Sequence, residues 1–255
     1  LYTVIGDDAL GDAFLAMIKA KGLSADGIVK DREHGTTATV VVVSDSGEHG
    51  CMTLKDGAAG TMRYSLDTFD IDFGDAKLLS VASLFWSKGQ TDDDLKTLFA
   101  AAKENGLLIA ADMVLDQSQM RLEDIAGALK YIDYLVPSLH EASYFTGKDT
   151  PEEIAREFHK RGVKTVVLKL GEKGVFASEG GKIYYVPTIA DQVVDTLGGG
   201  DNFVAGFLTG ILDGKGLLEA LYFGSSTAAI AISQYGANGA VKSKKRVQEY
   251  LDLHR

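Results

Sequence analysis

The chain has 255 residues, 45% hydrophobic and 24% charged, with a formal net charge of −10. That balance suits one large soluble domain with a substantial core, and scattered basic residues exclude an electrostatic footprint for nucleic acid. The single cysteine, Cys51, excludes an intrachain disulfide and fits a reducing cytoplasm, while no apolar run approaches the ~20 residues of a membrane-spanning helix and no signal-peptide layout is visible.

Leu1 to Asp8 reads as a strand entering a turn, and the spacing of Leu10, Phe14, Leu15 and Ile18 predicts a helix from Leu10 to Lys21 that ends near Gly22. Thr36 to Val43 and Cys51 to Leu54 form two β-rich runs around a polar turn, on their own an edge hairpin. Lys77 to Ala82 is a strand. Thr91 to Asn105 is a helix with a Thr91–Asp94 capping box and Gly106 as its stop. Leu107 to Asp112 is a buried-type strand ending in a carboxylate, Arg121 to Tyr131 is helical, and Tyr134 to Pro137 is a short strand. Thr150-Pro151-Glu152-Glu153 opens a helix with cap, first-turn proline and early acids in place. Lys164 to Leu170 is a further strand, and Gly216 to Gln234 is a helix rich in small residues. Alternation of this kind predicts a parallel sheet flanked by helices, with ligands beyond the carboxyl ends of the strands.

The most informative stretch is Val194-Asp195-Thr196-Leu197-Gly198-Gly199-Gly200-Asp201-Asn202-Phe203. An extended segment runs into three glycines, an aspartate and a helical pattern. Glycines admit positive φ and let an anion approach the backbone. The first N–H groups of the following helix have no intrahelical partner and make an anion hole. Asp201 stands where a carboxylate can take a proton from a hydroxyl held beside that anion. A plain Gly-rich turn with an acidic first-turn residue has the same composition. The chain contains neither a Walker A loop nor a Gly-x-Gly-x-x-Gly dinucleotide fingerprint, which argues against a Rossmann oxidoreductase.

Asp195-Thr196-x-Gly198-x-Gly200-Asp201, followed by Ala205-Gly206-Phe207, resembles the C-terminal signature of the PfkB (ribokinase-like) carbohydrate kinases, with Gly199 where that family has alanine. The resemblance covers essentially the entire chain. It implies a ribokinase-like three-layer α/β/α sandwich with a mostly parallel central sheet, one kinase domain over residues 1–255, and a small β lid at approximately 36–60. It also implies ATP and Mg²⁺ as cofactors, a sugar or sugar derivative as acceptor, a cytoplasmic enzyme and a homodimer formed through the lid. Gly6-Asp7-Asp8-x-x-Gly11 resembles a family segment that normally follows an earlier β-α unit. A preceding unit carrying a sugar-binding Asp and a Gly-Gly-x-x-x-Asn motif is therefore expected.

Carried over by position, Asp201 is the catalytic base and Gly198, Gly199 and Gly200 form the phosphate loop. Pro137-Ser138-Leu139-His140-Glu141-Ala142 resembles the family's Pro-Asn-x-x-Glu-Ala segment. Ser138 then stands at a nucleotide-binding asparagine and Glu141 near a water-coordinated Mg²⁺. His140 is read as a surface residue. Lys169-Leu170-Gly171-Glu172-Lys173-Gly174 looks like the nucleotide-binding turn, with Lys169, Gly171, Glu172 and Gly174 as contacts, although the same residues make an ordinary β-turn. Asp195 and the Tyr235-Gly236-Ala237 turn lie where several members hold a monovalent cation such as K⁺. Asp112 opens the family's Asp-x-Asn-x-Arg pattern, but Val114 and Asp116 replace its Asn and Arg, and a turn cap is the simpler reading of Asp112. A nucleoside kinase of the same family and a non-catalytic nucleotide- or sugar-binding regulator stand as alternatives.

Overall fold

The computed structural model describes residues 1–43, 49–54, 56–115, 120–237 and 239–254. In chain order its elements are β1 (Tyr2–Gly6), α1 (Ala9–Ala20), β2 (Gly27–Asp31), β3 (Thr39–Val43), β4 (His49–Thr53), α2 (Ala58–Thr61) and β5 (Leu78–Leu84). Then follow α3 (Asp92–Glu104), β6 (Leu108–Met113), α4 (Ala126–Leu129), β7 (Tyr134–Leu135), α5 (Leu139–Thr146), α6 (Pro151–Lys160) and β8 (Thr165–Lys169). The C-terminal part holds β9 (Val175–Glu179), β10 (Lys182–Val186), α7 (Gly199–Leu212), α8 (Leu217–Ile232) and α9 (Lys244–His254).

The main sheet has the order β10-β9-β8-β7-β6-β5. Its strands β5 to β8 run parallel, and β9 and β10 are antiparallel to their neighbours. Successive side chains leave a strand on opposite faces, and here both faces are covered, which is why the strands read as continuous apolar runs. Ile109, Ala111 and Met113 of β6 and Val166 and Leu168 of β8 join a core with Leu95 and Phe99 of α3 and Ile154 and Phe158 of α6. The intervening Ala110 and Val167 join a second core with Phe203 and Phe207 of α7 and Ala220 and Leu221 of α8. Two cores on two faces make three layers, the expected α/β/α arrangement.

Caps set the helix starts where the sequence suggests. Thr91 and Asp94 form the reciprocal capping box of α3, and Thr150 caps α6 with Pro151 in its first turn. Asp8 caps α1 through Gly11 N and also accepts from Thr36 N and Oγ1. These donors, the Thr36 amide foremost, pull its carboxyl down to about 2.

Three features go beyond what the sequence predicts. The segment 121–131 is not one helix but a 3-10 turn, Leu122–Ile125, followed by the short α4. Asp92 at the start of α3 accepts from Ala128 N (2.9 Å), and Gly127 lies so close to that carboxylate that any side chain would overlap it. Docking onto α3 therefore tightens the turn. The extended segment at Val194 lies outside the named strands and is tied to α8, Val194 N and Asp195 N both donating to Ile232 O (2.8 and 3.2 Å). The β9–β10 hairpin was not anticipated, although Gly180 and Gly181, both at positive φ (55° and 80°), are the residues a tight two-residue hairpin turn requires.

Two small sheets stand apart from the main one. β1 and β2 pair in parallel, and an apolar cavity of about 600 Å³ separates Leu1–Thr3 from residues 78–83 of β5. β3 and β4 form an antiparallel hairpin within the 36–60 segment, in register Val40↔Met52. Among the described residues no helix is long and apolar enough to cross a membrane.

Candidate active site

The carboxyl ends of the parallel strands meet the N-termini of two helices. β7 is only two residues long, and its chain turns out of the sheet at Pro137 into α5. Lys169 N donates to Pro137 O (3.0 Å), and Ser138 makes a parallel bridge to Lys169. This joins the Ser138–Glu141 segment to the Lys169–Gly174 turn. Ser138 Oγ accepts from Glu141 N (3.2 Å), and Glu141 Oε2 accepts from Ser138 N (2.7 Å). The two candidate residues thus cap α5 reciprocally, fixing the Glu141 carboxylate at the rim and leaving its second oxygen outside the cap.

The glycine string builds the next wall. Gly198 takes the left-handed conformation (φ 73°) and precedes the first turn of α7. A Cβ there would sit 2.6 Å from Ala237 O, so the loop rests directly on the backbone after α8. Asn202 Nδ2 donates to both Gly198 O (2.8 Å) and Ala237 O (2.7 Å), clamping the contact. Asp195 is buried and accepts from Leu197 N (2.9 Å) and Gly236 N (3.0 Å). The structure therefore joins Asp195 to the Gly236–Ala237 turn, as the sequence suggests. Of the candidate anion-hole amides, that of Gly199 is engaged by Thr196 O (3.1 Å). The helical ladder begins with Asn202 N donating to Gly198 O (2.9 Å). The amides of Gly200 and Asp201 stand ahead of that ladder, where anions bind. Asp201 is exposed in this first turn.

Between the Lys169–Gly174 turn and α7 and α8 lies a cavity of about 480 Å³, a size suited to a small-molecule ligand. Lys169, Gly171, Glu172 and Gly174 line it from the turn, Gly199, Gly200 and Phe203 from α7, and Ser225, Ala228, Ala229 and Ile232 from α8. Gly171 (φ 63°) and Gly174 (φ 91°) shape the turn. Gly174 does so for packing, because any side chain there would overlap Val186 O, whereas Gly171 faces open space. Among the described residues Ser225 Oγ has no hydrogen-bond partner, so the mostly apolar α8 wall keeps a buried polar group unsatisfied. Ser138, Glu141, Gly198, Asp195 and Asp201 lie outside the cavity lining.

One contact went unforeseen. Asp112, at the end of β6, forms an ion pair with Lys169, at the end of β8, with Oδ2 and Nζ 2.8 Å apart. Burial pushes the Asp112 carboxyl up to about 6, outweighing the opposing effect of Lys169. The aspartate closing a strand was visible in the sequence; its partner, 57 positions away, was not. Asn202 was likewise overlooked, though its place beside Asp201 was a signal. Val114 continues the chain from β6 and bonds Leu84 O (3.2 Å), and Asp116 lies outside the described residues. Among the described residues no group of three or more His, Cys, Asp or Glu side chains can hold a metal ion. Glu141 offers a single hard oxygen donor, a type that fits Mg²⁺ because that ion keeps several of its waters.

Comparison with known proteins gives concordant matches. The family model for pfkB family carbohydrate kinases matches residues 1–244. A ribokinase of Haemophilus influenzae is 26% identical over 253 residues, covering 97% of this chain and 79% of that protein. The structure of Arabidopsis thaliana ribokinase complexed with ribose and ATP aligns with a TM-score of 0.79 at 25% identity, over 98% of this chain and 80% of the other. A fructokinase from Vibrio cholerae O395, bound to fructose, ADP and a calcium ion, gives a TM-score of 0.82 at 22% identity, over 98% and 84% of the two chains.

Proposed function

We propose that this chain, which belongs to the pfkB family of carbohydrate kinases and is a phosphotransferase with an alcohol acceptor, moves the γ-phosphoryl group of ATP to a hydroxyl of a sugar or sugar derivative. The observation that carries this reading is the open first turn of α7. Free amides of Gly200 and Asp201 stand next to a carboxylate, with Lys169 beside them: a Cβ on Gly200 would lie 3.4 Å from Lys169 Nζ. In an acidic chain this concentrates positive potential at one point.

In this reading the first-turn amides and Lys169 stabilise charge on the transferring phosphoryl group, and they do so preorganised, without reorganisation during the step. Asp201 orients the acceptor hydroxyl and takes its proton. The cavity between Gly171 and Ser225 holds the nucleotide, with Glu172 at its exposed rim and Ser138 near its phosphate side. Mg²⁺ neutralises charge on the phosphates, and Glu141 holds it through water. Asp195 and the Gly236–Ala237 turn are the place for a monovalent cation such as K⁺.

The β3–β4 hairpin serves as the lid, excluding water that competes with the acceptor hydroxyl. Val40, Val42 and Met52 are 58%, 56% and 63% exposed on it, which supports a homodimer formed through this hairpin. The test is ADP release with ATP, Mg²⁺ and a panel of sugars, sugar acids and nucleosides. Release stimulated by a sugar or sugar acid is expected. Release stimulated by nucleosides alone would transfer the assignment to a nucleoside kinase, and silence with intact ATP binding would favour a regulator.

A further inference from the structure

The Asp112–Lys169 pair is unusual for its location. The two residues end β6 and β8, strands separated by β7 in the sheet. Their side chains meet across the end of the chain that leaves β7, where Ser138 still bridges to Lys169. Both side chains are largely withdrawn from solvent, at 16% exposed for Lys169 and 14% for Asp112. Asp112 Oδ1 accepts from Met113 N (2.8 Å), which leaves Oδ2 to the ammonium. Gly200 also stands beside this side chain: a Cβ there would meet Lys169 Nζ, Cδ and Cε at 3.4 to 3.8 Å. The carboxylate and the nearby bare backbone together restrict the end of a flexible four-carbon side chain.

A buried ion pair of this kind contributes little to net stability, because the desolvation of both charges offsets their attraction. Its value lies in placement. An ammonium has three donors, so Lys169 can keep Asp112 and still donate to an anion at the first turn of α7. We infer that Asp112 is a positioning residue that holds the Lys169 ammonium over Gly200, ready for the outer phosphates of the nucleotide. Asp112 acts only through Lys169 and touches no reactant. The inference rests on the reading that the nucleotide phosphates lie at this helix start.

The experiment measures binding of ATP and of AMP, each with Mg²⁺, by calorimetry for the wild type, Asp112→Asn, Lys169→Met and the double variant. AMP lacks the outer phosphates and so reports the rest of the cavity. The wild type is expected to prefer ATP over AMP, and Asp112→Asn to lose on the order of tenfold of that preference while AMP affinity stays unchanged, a coupling ordinary for directly contacting residues. In the Lys169→Met background, Asp112→Asn should cost nothing further. An Asp112→Asn variant that keeps the wild-type preference would overturn the inference, as would a loss that is equal for both nucleotides or additive with Lys169→Met. If Asp112→Asn alone does not fold, the double variant, neutral at both positions, is compared with Lys169→Met, and unequal preferences would count against the proposal. A wild type that binds neither nucleotide would instead refute the underlying site assignment.

Discussion

Gly198 and Ala237 are in backbone contact: a Cβ on Gly198 would lie 2.6 Å from Ala237 O and 2.8 Å from its Cα. The first residue of the glycine loop is thus seated on the turn that follows α8, and Asn202 bonds both carbonyls at once, tying loop and turn together. Gly198→Ala adds a side chain at φ 73° and drives it into that turn. The left-handed conformation alone costs about 1–3 kcal/mol, and the overlap adds to it. Thermal melting should show the loss of stability, and nucleotide affinity should fall with it because the first turn of α7 shifts.

The crossing of α7 and α8 makes a second demand on glycine. A side chain at Gly206 would overlap Thr227 Oγ1, and one at Gly224 would come within 2.9 Å of Phe203 O. Gly206→Ala should therefore destabilise the chain by about 1–3 kcal/mol as the helices are forced apart, although alanine is the better helix former. Phe203 lines the cavity proposed for the nucleotide, so ATP binding should weaken in the same variant. A melting temperature equal to that of the wild type would mean the two helices are not packed this closely in solution.

The Asp112 carboxyl gives a pH signature. Its folded value of about 6 stands above the ordinary 3.8, so as pH rises from about 4 the unfolded chain releases this proton first. The folded state is then disfavoured until pH passes about 6. Relative to Asp112→Asn, the wild type should lose about 3 kcal/mol of stability across that window and stay level above it. Denaturant unfolding of both proteins at pH 4, 5, 6 and 7 checks this. A constant difference would mean that burial does not perturb the group.

How much of this was legible in the sequence depended on range. The helix starts at Thr91 and Thr150 were readable because capping is local chemistry, complete within four residues. The glycine string was readable as a loop opening a helix because that pattern lies within a few consecutive residues, whereas its seating on Ala237 and the approach of Lys169 come from distant parts of the chain. The turn at Lys169–Gly174 announced itself by Gly171 and Gly174, but only the fold shows that Gly174 serves packing against Val186. The break in 121–131 could not be foreseen, because it is imposed by Asp92 on another helix. The Asp112–Lys169 pair joins two strands that are not neighbours in the sheet, which no local pattern reveals. Asp112 looked like a cap because its partner lies on a strand two positions away in the sheet.

The proposed role of Asp201 as the base of a phosphoryl transfer at the first turn of α7 is tested most directly by turnover of Asp201→Asn, measured as acceptor-stimulated ADP release beside ATP affinity. Asp201 is exposed and asparagine is isosteric, so the variant should fold and bind ATP as the wild type does. Turnover should fall by a factor of about 10² or more, the contribution of a positioned general base. An Asp201→Asn enzyme that turns over at the wild-type rate would contradict the account.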